Sequence, residues 1–340
     1  MRRMWKWWPS LVAAAGLMLA GCGGSQQAVQ DGADLTVWPQ PPDEPRIRYL
    51  ASLRGENDFS SGFGDVLKAL GGEQAGIGLA RPFDVCTDDH GCIYVTDLTA
   101  GVVVFDTVGR DVRMFGEKSP VSLNSPRGIV HNAGLIYVVV QDLGQVVVLT
   151  REGSFVRTIG ARFAFPGPVD LACDPSTGRL YVVDNKLHAV CVYSLAGDSL
   201  MTFGGRGEGD GQFNYPQSAT VDAQGRLYVV DGFNYRVQVF DSTGAYLRQF
   251  GKQGNVWGMF SRPKGIALDT FGNIYVLDAN HDNFQVFNQN GELLLFVGRF
   301  SHENDGFENP VSIHIDAGNR IYVADQLNKR IQIFQLLRGS

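Results

Sequence analysis

The sequence predicts an all-β fold, a six-bladed β-propeller, and three observations lead to this prediction. An Ile/Leu-Tyr-Val motif recurs six times at nearly even spacing. A proline precedes each copy, with a large apolar residue three positions before the proline. Short apolar runs alternate with Gly- and Asp-containing turns, which is typical of β-hairpins. Four such strands in about 47 residues have the size of one propeller blade.

The three markers keep the same order in every copy. The tyrosines are separated by 43, 44, 47, 47 and 47 residues, and they are Tyr94, Tyr137, Tyr181, Tyr228, Tyr275 and Tyr322. The prolines are Pro82, Pro126, Pro168, Pro216, Pro263 and Pro310. The apolar residues before them are Leu79, Leu123, Phe165, Phe213, Phe260 and Phe307. Because a single blade leaves both of its faces uncovered, six blades are expected to pack side by side around an axis.

The N-terminal segment is predicted to be a secretory signal. Three basic residues precede the apolar run LVAAAGLMLA, which is too short to span a bilayer comfortably. The run ends in Leu19-Ala20-Gly21-Cys22, which resembles the lipobox of bacterial lipoproteins. The resemblance implies cleavage before Cys22, a diacylglycerol on its thiol, and an exported protein anchored to the membrane by this lipid. The absence of an aspartate at Gly23 is similar to the pattern of outer-membrane lipoproteins.

Three segments are therefore expected: a signal peptide at 1–21, a flexible Pro-rich tether at 22–45, and the propeller at 46–340. The tether is polar in GGSQQAVQDGAD and proline-rich in WPQPPDEP. The sixth repeat has no fourth strand after IQIFQLLRGS, whereas RIRYLASLRG at Arg46–Gly55 reads like the fourth strands of other repeats. This N-terminal strand is expected to close the last blade. Residues Phe63–Leu70 are expected to form a short amphipathic helix.

The repeated markers, the Asx turns and the GDGQFNYP linker resemble the NHL repeat of six-bladed (NHL/TolB-like) propellers over Pro82–Phe334. Blades four to six match best, while Val140 replaces a repeated aspartate in blade two. NHL propellers of tripartite-motif proteins bind RNA with basic faces. Here the net charge is −6, and it becomes −9 once cleavage removes three of the 29 basic and none of the 35 acidic residues. An acidic protein is a poor partner for nucleic acid, so none is expected.

The stretch RLYVVDGFNYRVQVF contains a conspicuous Asp-x-x-Asn-x-Arg spacing, formed by Asp231, Asn234 and Arg236. The aspartate recurs at the same blade position as Asp97, Asp184, Asp278 and Asp325. A residue needed once for chemistry would not occur five times by symmetry. The repeated aspartate is therefore interpreted as a cap that accepts backbone N–H groups of its loop.

Function is expected where the repeats differ, on the near face, which consists of the loops between second and third strands and the linkers before each proline. The residues directly after the prolines should ring the channel mouth: Phe83, Arg127, Val169, Gln217, Lys264 and Val311. The next ring should be Asp84, Gly128, Asp170, Ser218, Gly265 and Ser312. Arg127 and Lys264 could hold an anionic group. Asp84 and Asp170 could hold a divalent metal ion, or pair with those two bases.

The residues give weak support to an enzyme. An amidating peptidylhydroxyglycine lyase with NHL-type repeats carries zinc-binding histidines directly after its blade prolines, and none of these positions is histidine here. The six histidines show no close metal-ligand spacing, and no Gly-x-Ser-x-Gly elbow occurs. Gluconolactonase-like propellers use channel carboxylates on a divalent metal. A metal-dependent hydrolase or lactonase using Asp84 and Asp170 is therefore the alternative function.

Four cysteines remain after Cys22. Cys173 and Cys191 are predicted on strands separated by another strand, too far apart for a disulfide. Cys86 and Cys92 flank the turn TDDHG, where strand alternation would favour opposite faces. A bond between them and simple core packing both stay open.

The expected function is a binding or scaffolding protein of an envelope complex, with no firm cofactor apart from the lipid on Cys22. Phe233, Tyr235 and Trp257 lie in near-face loops and could form an apolar patch. Such a patch would favour an envelope protein as the partner, whereas the channel mouth would favour a small ligand.

Overall fold

Each repeat folds as an antiparallel sheet, because its apolar runs are joined by turns that reverse the chain. The structure, a computed structural model, describes residues 36–59, 76–115 and 121–337. In chain order the strands are β1 Val37–Trp38, β2 Ile47–Leu53, β3 Pro82–Thr87, β4 Cys92–Asp97, β5 Gly101–Asp106, β6 Asp111–Phe115, β7 Pro126–Asn132, β8 Leu135–Val140, β9 Gln145–Thr150, β10 Phe155–Ile159, β11 Pro168–Asp174, β12 Arg179–Asp184, β13 Ala189–Ser194, β14 Ser199–Gly204, β15 Pro216–Val221, β16 Leu227–Asp231, β17 Arg236–Phe240, β18 Tyr246–Phe250, β19 Pro263–Leu268, β20 Ile274–Asp278, β21 Asn283–Phe287, β22 Leu293–Val297, β23 Pro310–Ile315, β24 Arg320–Asp325 and β25 Arg330–Leu336. Two short 3-10 helices span Glu56–Asp58 and Gly232–Asn234.

The strands form six blades around a central channel. Strands β3–β6, β7–β10, β11–β14, β15–β18 and β19–β22 make blades one to five, and β23–β25 with β2 and β1 make blade six. The first strand of each repeat is innermost and contacts the inner strands of its neighbours, and β23 contacts β3. The predicted all-β, six-bladed propeller is therefore confirmed.

The hydrophobic core lies between the blades. One cluster, for example, joins Tyr228 and Val230 of blade four to Ile274 and Val276 of blade five, all four of them buried. The tyrosine of the repeated motif is thus a packing residue. Each blade covers the apolar face of the next, which explains why one repeat cannot fold alone.

Blade six is closed by the N-terminal strand, as predicted. Strand β2 pairs antiparallel with β25, with Ile47 opposite Leu336 and Leu53 opposite Ile331. The structure adds a strand that was not predicted, because β1 pairs with the outer edge of β2. The ring of Trp38 lies 5.6 Å from that of Phe334. The expected tether of 22–45 is therefore wrong in its last part, where apolar Val37 and Trp38 cover the blade.

Several sequence predictions lie outside the described residues. They are the signal peptide at 1–21, Cys22, the first part of the tether and the helix at Phe63–Leu70. Within the described part of the chain, no helix has the length and apolar character needed to cross a membrane.

The Asp-x-x-Asn-x-Arg spacing of blade four is a structural clamp. The carboxylate of Asp231 accepts hydrogen bonds from the amide of Asn234 at 2.8 Å and from Nε of Arg236 at 2.9 Å. Arg236 also donates to the carbonyls of Gly209 at 2.9 Å and Gln212 at 3.1 Å. Asp231 and Arg236 are both buried. The clamp holds the near-face linker against its own blade, which confirms the scaffolding interpretation.

Blade six repeats this clamp. Asp325 accepts bonds from Asn328 at 2.8 Å and from Arg330 at 2.7 Å. Arg330 is fully buried, and it donates to the linker carbonyls of Glu303 at 2.6 Å and Gly306 at 3.1 Å. Blades four and six thus use the same groups, an aspartate, an asparagine, an arginine and linker carbonyls, to hold the linker against the blade.

Blade five holds its linker differently. Asn283 occupies the position of the clamp arginine, and its buried amide has no hydrogen-bond partner among the described residues. In place of the guanidinium contacts, Trp257 of the linker stacks on Phe296 of β22, with ring centres 3.8 Å apart and planes 9° apart. This blade therefore holds its linker without an ionic clamp, by the aromatic stack and by Gln285, whose side chain hydrogen-bonds to two backbone groups of the linker.

The four described cysteines are free thiols. Cys86 lies opposite Tyr94, and Cys92 is two residues from Tyr94 on β4, so Cys86 and Cys92 are on the same side of the sheet. The expectation of opposite faces was wrong. A diagonal pair of this kind is roughly 7–8 Å apart, beyond the Cβ separation of a disulfide. Both side chains pack in one hydrophobic cluster.

Candidate functional site

The channel mouth is shaped by the start of each inner strand. Every inner strand begins with proline, and its register with the second strand is irregular directly after that proline. Proline has no N–H to donate to the adjacent strand, and a bulge re-aims the side chains next to it. The first residues after each proline are thereby directed towards the channel.

The structure brings the predicted first ring together. Its six members line a cavity of about 160 Å³: Phe83, Arg127, Val169, Gln217, Lys264 and Val311. Two loop amides, Gln141 and Asn185, complete the wall. The floor consists of four members of the predicted second ring: Asp84, Asp170, Ser218 and Ser312.

The other two members of the second ring are glycines for a steric reason. A Cβ atom at Gly128 would lie 2.6 Å from Cα of Asp170. One at Gly265 would lie 2.9 Å from the backbone nitrogen of Ile313. The inner strand of the next blade passes too closely for any side chain at these positions, and neither glycine lines the mouth.

The arginine of the mouth is fixed by neutral groups. Nε and Nη2 of Arg127 donate to Oε1 of Gln141 at 3.0 and 2.8 Å. Its guanidinium carbon lies 4.7 Å from the centre of the Phe83 ring. Burial, and after it the charge of Arg81, lowers the pKa of Arg127. The side chain is therefore oriented by its partners while its charge stays unneutralised.

The lysine of the mouth also has a neutral partner. Nζ of Lys264 donates to Oε1 of Gln217 at 2.7 Å. Burial lowers the pKa of Lys264 to about 8, and the charges of Arg262 and Arg127 act in the same direction. The two cations of the mouth therefore repel each other across one cavity.

The expectation that these bases pair with the channel acids is wrong. Among the described residues, no ion pair involves Arg127 or Lys264. The acids instead accept hydrogen bonds from the backbone and from a serine. The reason is geometric, because the carboxylates lie one ring deeper than the cations.

Asp84 ties blade one to both of its neighbours. Its carboxylate accepts the N–H groups of Val85 at 2.8 Å and of Ile129, in blade two, at 2.7 Å. It also accepts a hydrogen bond from the hydroxyl of Ser312 in blade six. Burial raises the pKa of Asp84 to about 6 despite these bonds. At neutral pH this acid carries most of a negative charge.

Asp170 plays a similar part between blades three and four. Its carboxyl group accepts the N–H of Ala219 at 3.0 Å. Burial, and after it the charge of Asp84, raises the pKa of Asp170 to about 8. The group is therefore mostly protonated at neutral pH, and the floor of the mouth carries about one negative charge rather than two.

A second cavity of about 280 Å³ continues the channel below the mouth and shares the four floor residues with it. His131, His314 and Cys173 line it. Nε2 of His314 lies 3.0 Å from the hydroxyl of Thr87, and burial lowers the pKa of His314 to about 4. This lower cavity is therefore lined by a neutral imidazole at neutral pH, in contrast to the cationic mouth.

Exposed large apolar side chains are concentrated on the near face. Eight lie in its described loops and linkers: Phe163, Leu187, Tyr215, Phe233, Val256, Trp257, Phe300 and Leu327. The far face, formed by the other two turns of each blade, exposes two in its described part, Val108 and Phe271. The near face is thus the more apolar end of the propeller.

Only part of the predicted aromatic patch is present. Phe233 is 58% exposed, and its ring centre lies 5.0 Å from that of Tyr215, which in turn lies 4.6 Å from His188. Tyr235 instead packs against the core between blades four and five. Trp257 stacks on Phe296, and among the described rings it has no contact with Phe233. The near-face cluster is therefore Phe233, Tyr215 and His188.

One group of potential metal ligands occurs in a far-face turn. The ligand atoms of Asp88, Asp89 and His90 lie within 4.8 Å of one another. This proximity was not predicted from the sequence. The carboxylate of Asp88 already accepts bonds from the backbone of Cys92 at 2.9 Å and from Arg151 at 3.0 Å. The carboxylate of Asp88 therefore stabilises the turn, and these contacts do not indicate a metal site.

Sequence reasoning missed the amides of the mouth and the tyrosine of the near-face cluster. Gln141 and Asn185 are the first loop residues after the second strands of their blades. Aligning this position across the repeats would have shown amide side chains in blades two, three and six. Tyr215 directly precedes Pro216, so the repeated proline would have marked it as well.

Comparisons with known proteins agree with this architecture. A family model described as a six-bladed beta-propeller matches residues 217–295. A search of curated protein sequences finds no significant match. Among solved structures, a catalytically inactive virginiamycin B lyase from Staphylococcus aureus with quinupristin is 16% identical, with a TM-score of 0.57 over 78% of this chain and 83% of that one.

Two further solved structures are similar to the same degree. An auxiliary nutrient binding protein from Bacteroides thetaiotaomicron is 16% identical, with a TM-score of 0.58 over 76% of this chain and 69% of that one. A chain of a nidogen/laminin complex is 16% identical, with a TM-score of 0.57 over 74% of this chain and 87% of that one. At this identity the likeness concerns the fold alone, and it agrees with the six-bladed β-propeller that the strand order and the family model show.

Proposed function

We propose that this chain is an NHL-repeat propeller lipoprotein that acts as a binding scaffold in the bacterial cell envelope. A diacylglycerol on Cys22 would anchor it, in the outer membrane, and the near face would dock a protein partner. The observation that carries the proposal is the near-face cluster, in which an exposed Phe233 packs on Tyr215. Exposed aromatic groups of this kind are enriched at protein interfaces.

The rigid frame behind the cluster supports this function. Tyr215 directly precedes Pro216, and its backbone N–H donates to Nδ1 of His188 at 3.1 Å. The clamp of Asp231 and Arg236 fixes the linker that carries Tyr215. A docking surface that is fixed before binding loses little conformational entropy on association. Two of the similar solved structures are also named for binding or complex formation.

A metal-dependent hydrolase or lactonase is the weaker candidate. It would need Asp84 and Asp170 as free carboxylate ligands. Both oxygens of Asp84 already accept hydrogen bonds, and burial favours the protonated form of Asp170. The acids act as ties between blades, so the geometry favours binding over this chemistry.

The docking test compares two equally exposed phenylalanines. Phe233 on the near face is 58% exposed, and Phe271 on the far face is 56% exposed. Crosslinked pull-downs from the native envelope should recover a specific partner with wild type and with Phe271→Ser, but less than about a fifth as much with Phe233→Ser. Equal recovery by the two variants, or no specific partner at all, would contradict near-face docking.

The anchor is tested separately. Wild type should partition with the outer membrane and incorporate labelled fatty acid, whereas Cys22→Ser should do neither. Labelling of Cys22→Ser at the wild-type level would contradict the proposed lipid attachment.

A further inference from the structure

We propose that the channel mouth is a binding site for one carboxylate group of a small organic acid. Arg127 and Lys264 would hold the carboxylate, and Phe83, Val169 and Val311 would contact a short apolar tail. This site lies on the channel axis, and it needs no protein partner. The inference therefore goes beyond the docking function and does not depend on it.

The charge distribution calls for an anion. Arg127 and Lys264 face one cavity, and no ion pair involves either of them among the described residues. Asp142 forms no ion pair with Arg127, and its charge has a smaller effect on the pKa of Arg127 than burial or the charge of Arg81. A bound anion would relieve the repulsion between the two cations. Charge-assisted hydrogen bonds of this type are among the stronger ones in proteins.

Donor groups remain available on both cations. Arg127 uses Nε and Nη2 for Gln141, and Nη1 makes no hydrogen bond with another described residue. Lys264 has three N–H groups and donates one to Gln217. The amide of Asn185 adds a further donor to the wall. The partners Gln141 and Gln217 thus orient the cations without neutralising them.

Size and floor charge select a single carboxylate. The cavity of about 160 Å³ is smaller than the roughly 300–1,000 Å³ of pockets for drug-sized ligands. Three apolar side chains suit a short hydrocarbon tail. The charge of Asp84 beneath the cations opposes a second negative charge on the ligand. A short monocarboxylate therefore fits this site better than a phosphate does.

Isothermal titration calorimetry on the mature chain in detergent tests the proposal. The probes are butyrate, its neutral isostere butyramide and inorganic phosphate, at constant ionic strength and pH 6.5. Butyrate should bind saturably, with a dissociation constant on the order of 1 mM or below. Butyramide and phosphate should bind at least about tenfold more weakly.

Matched variants locate the binding. Lys264→Met should weaken butyrate binding at least about tenfold, and Lys264→Arg should restore most of it. Lys252→Met removes the same charge from an exposed near-face position that does not line the cavity, and it should change the affinity less than twofold. Circular dichroism verifies that each variant is folded. Phe233→Ser, which tests docking, should leave butyrate affinity unchanged.

Three results would overturn the inference. They are the absence of saturable butyrate binding, equal binding of butyramide, and equal losses in Lys264→Met and Lys252→Met. Tighter binding of phosphate than of butyrate would overturn the carboxylate assignment. None of these results concerns the pull-down, so the failure of either proposal can be recognised separately.

Discussion

Asp170 carries a proton because of where the fold places it. Burial and the nearby charge of Asp84 raise its pKa to about 8, whereas an aspartate in an unfolded chain titrates near 3.9. The folded state therefore binds more protons between these two values. The stabilising contribution of this group is complete below about pH 3.9 and is lost as the pH rises through about 8.

Asp170→Asn should remove this pH dependence, because a neutral amide replaces an acid that is neutral in the folded state. Between pH 5 and 8 the free energy of unfolding of wild type should fall by on the order of 1–3 kcal/mol more than that of the variant, allowing for solvent in the channel. Urea unfolding at the two pH values measures this difference.

Asp174→Asn is the matched control on the same strand. Burial opposes the ionisation of Asp174, but the hydrogen bonds that its carboxylate accepts from Ser176 and Thr177 lower its pKa overall, so it is ionised throughout this range in both states. Its variant should lose stability about equally at both pH values. An Asp170→Asn variant with the same pH dependence as wild type would contradict the assigned protonation state.

The affinity of the mouth for a carboxylate should also fall with rising pH. Lys264 loses its charge near pH 8, Asp170 gains one near pH 8, and Asp84 gains one near pH 6. The other charged groups near the mouth are Arg127, Arg81, Arg262 and Asp142. Calorimetry with butyrate should show an affinity at least about tenfold lower at pH 9 than at pH 6. A flat profile would contradict this charge assignment.

At the scale of single elements, three consecutive blades fix their linkers in two ways. Blades four and six bury an arginine against an aspartate and linker carbonyls. Blade five uses the stack of Trp257 on Phe296. Sequence alignment of the repeats reveals the substitution of arginine by Asn283, but only the structure shows which contacts hold the linker of blade five instead.

Arg330→Ala should destabilise the protein by about 3–5 kcal/mol, because it leaves the buried carboxylate of Asp325 without its cation. Asn283→Ala at the equivalent position of blade five should cost less than about 1 kcal/mol, because the amide of Asn283 makes no hydrogen bond with other described residues. Chemical denaturation of both variants provides the comparison. Similar losses in the two would show that the ionic clamp does not stabilise blade six.

The sequence predicted which residues form the channel mouth, but not the contacts that these residues make. The phase of the repeats was sufficient to place Arg127, Lys264, Asp84 and Asp170 around one channel. Their partners could not be predicted, because the repeats place the acids one ring below the cations but do not show that this separation prevents ion pairs. Hydrogen bonds such as that from Lys264 to Gln217 depend on side-chain positions in adjacent blades.

At the scale of the whole molecule, the ring is closed by chain segments from opposite ends of the propeller. Strand β2 completes blade six by pairing with β25. The repeat pattern predicted this closure, since the sixth copy lacked an outer strand. It did not predict β1, because two paired residues inside a proline-rich stretch leave no periodic pattern.

Ile47→Asp should weaken this closure. Ile47 is 1% exposed in β2, whereas Leu50 on the same strand is 40% exposed. A buried unpaired charge should cost more than about 3 kcal/mol, and Leu50→Asp less than about 1 kcal/mol. Hydrogen exchange at β25 should accelerate in Ile47→Asp alone. Unchanged exchange in that variant would contradict the role of β2 in holding the ring.

We propose that the near face is the functional face of this propeller. Photocrosslinking in intact cells tests it most directly, with a photoreactive amino acid placed in turn at Phe233 and at Phe271. A discrete crosslinked partner is expected at position 233 and none at position 271. Crosslinking of one partner with equal yield from both positions, or from position 271 alone, would contradict it.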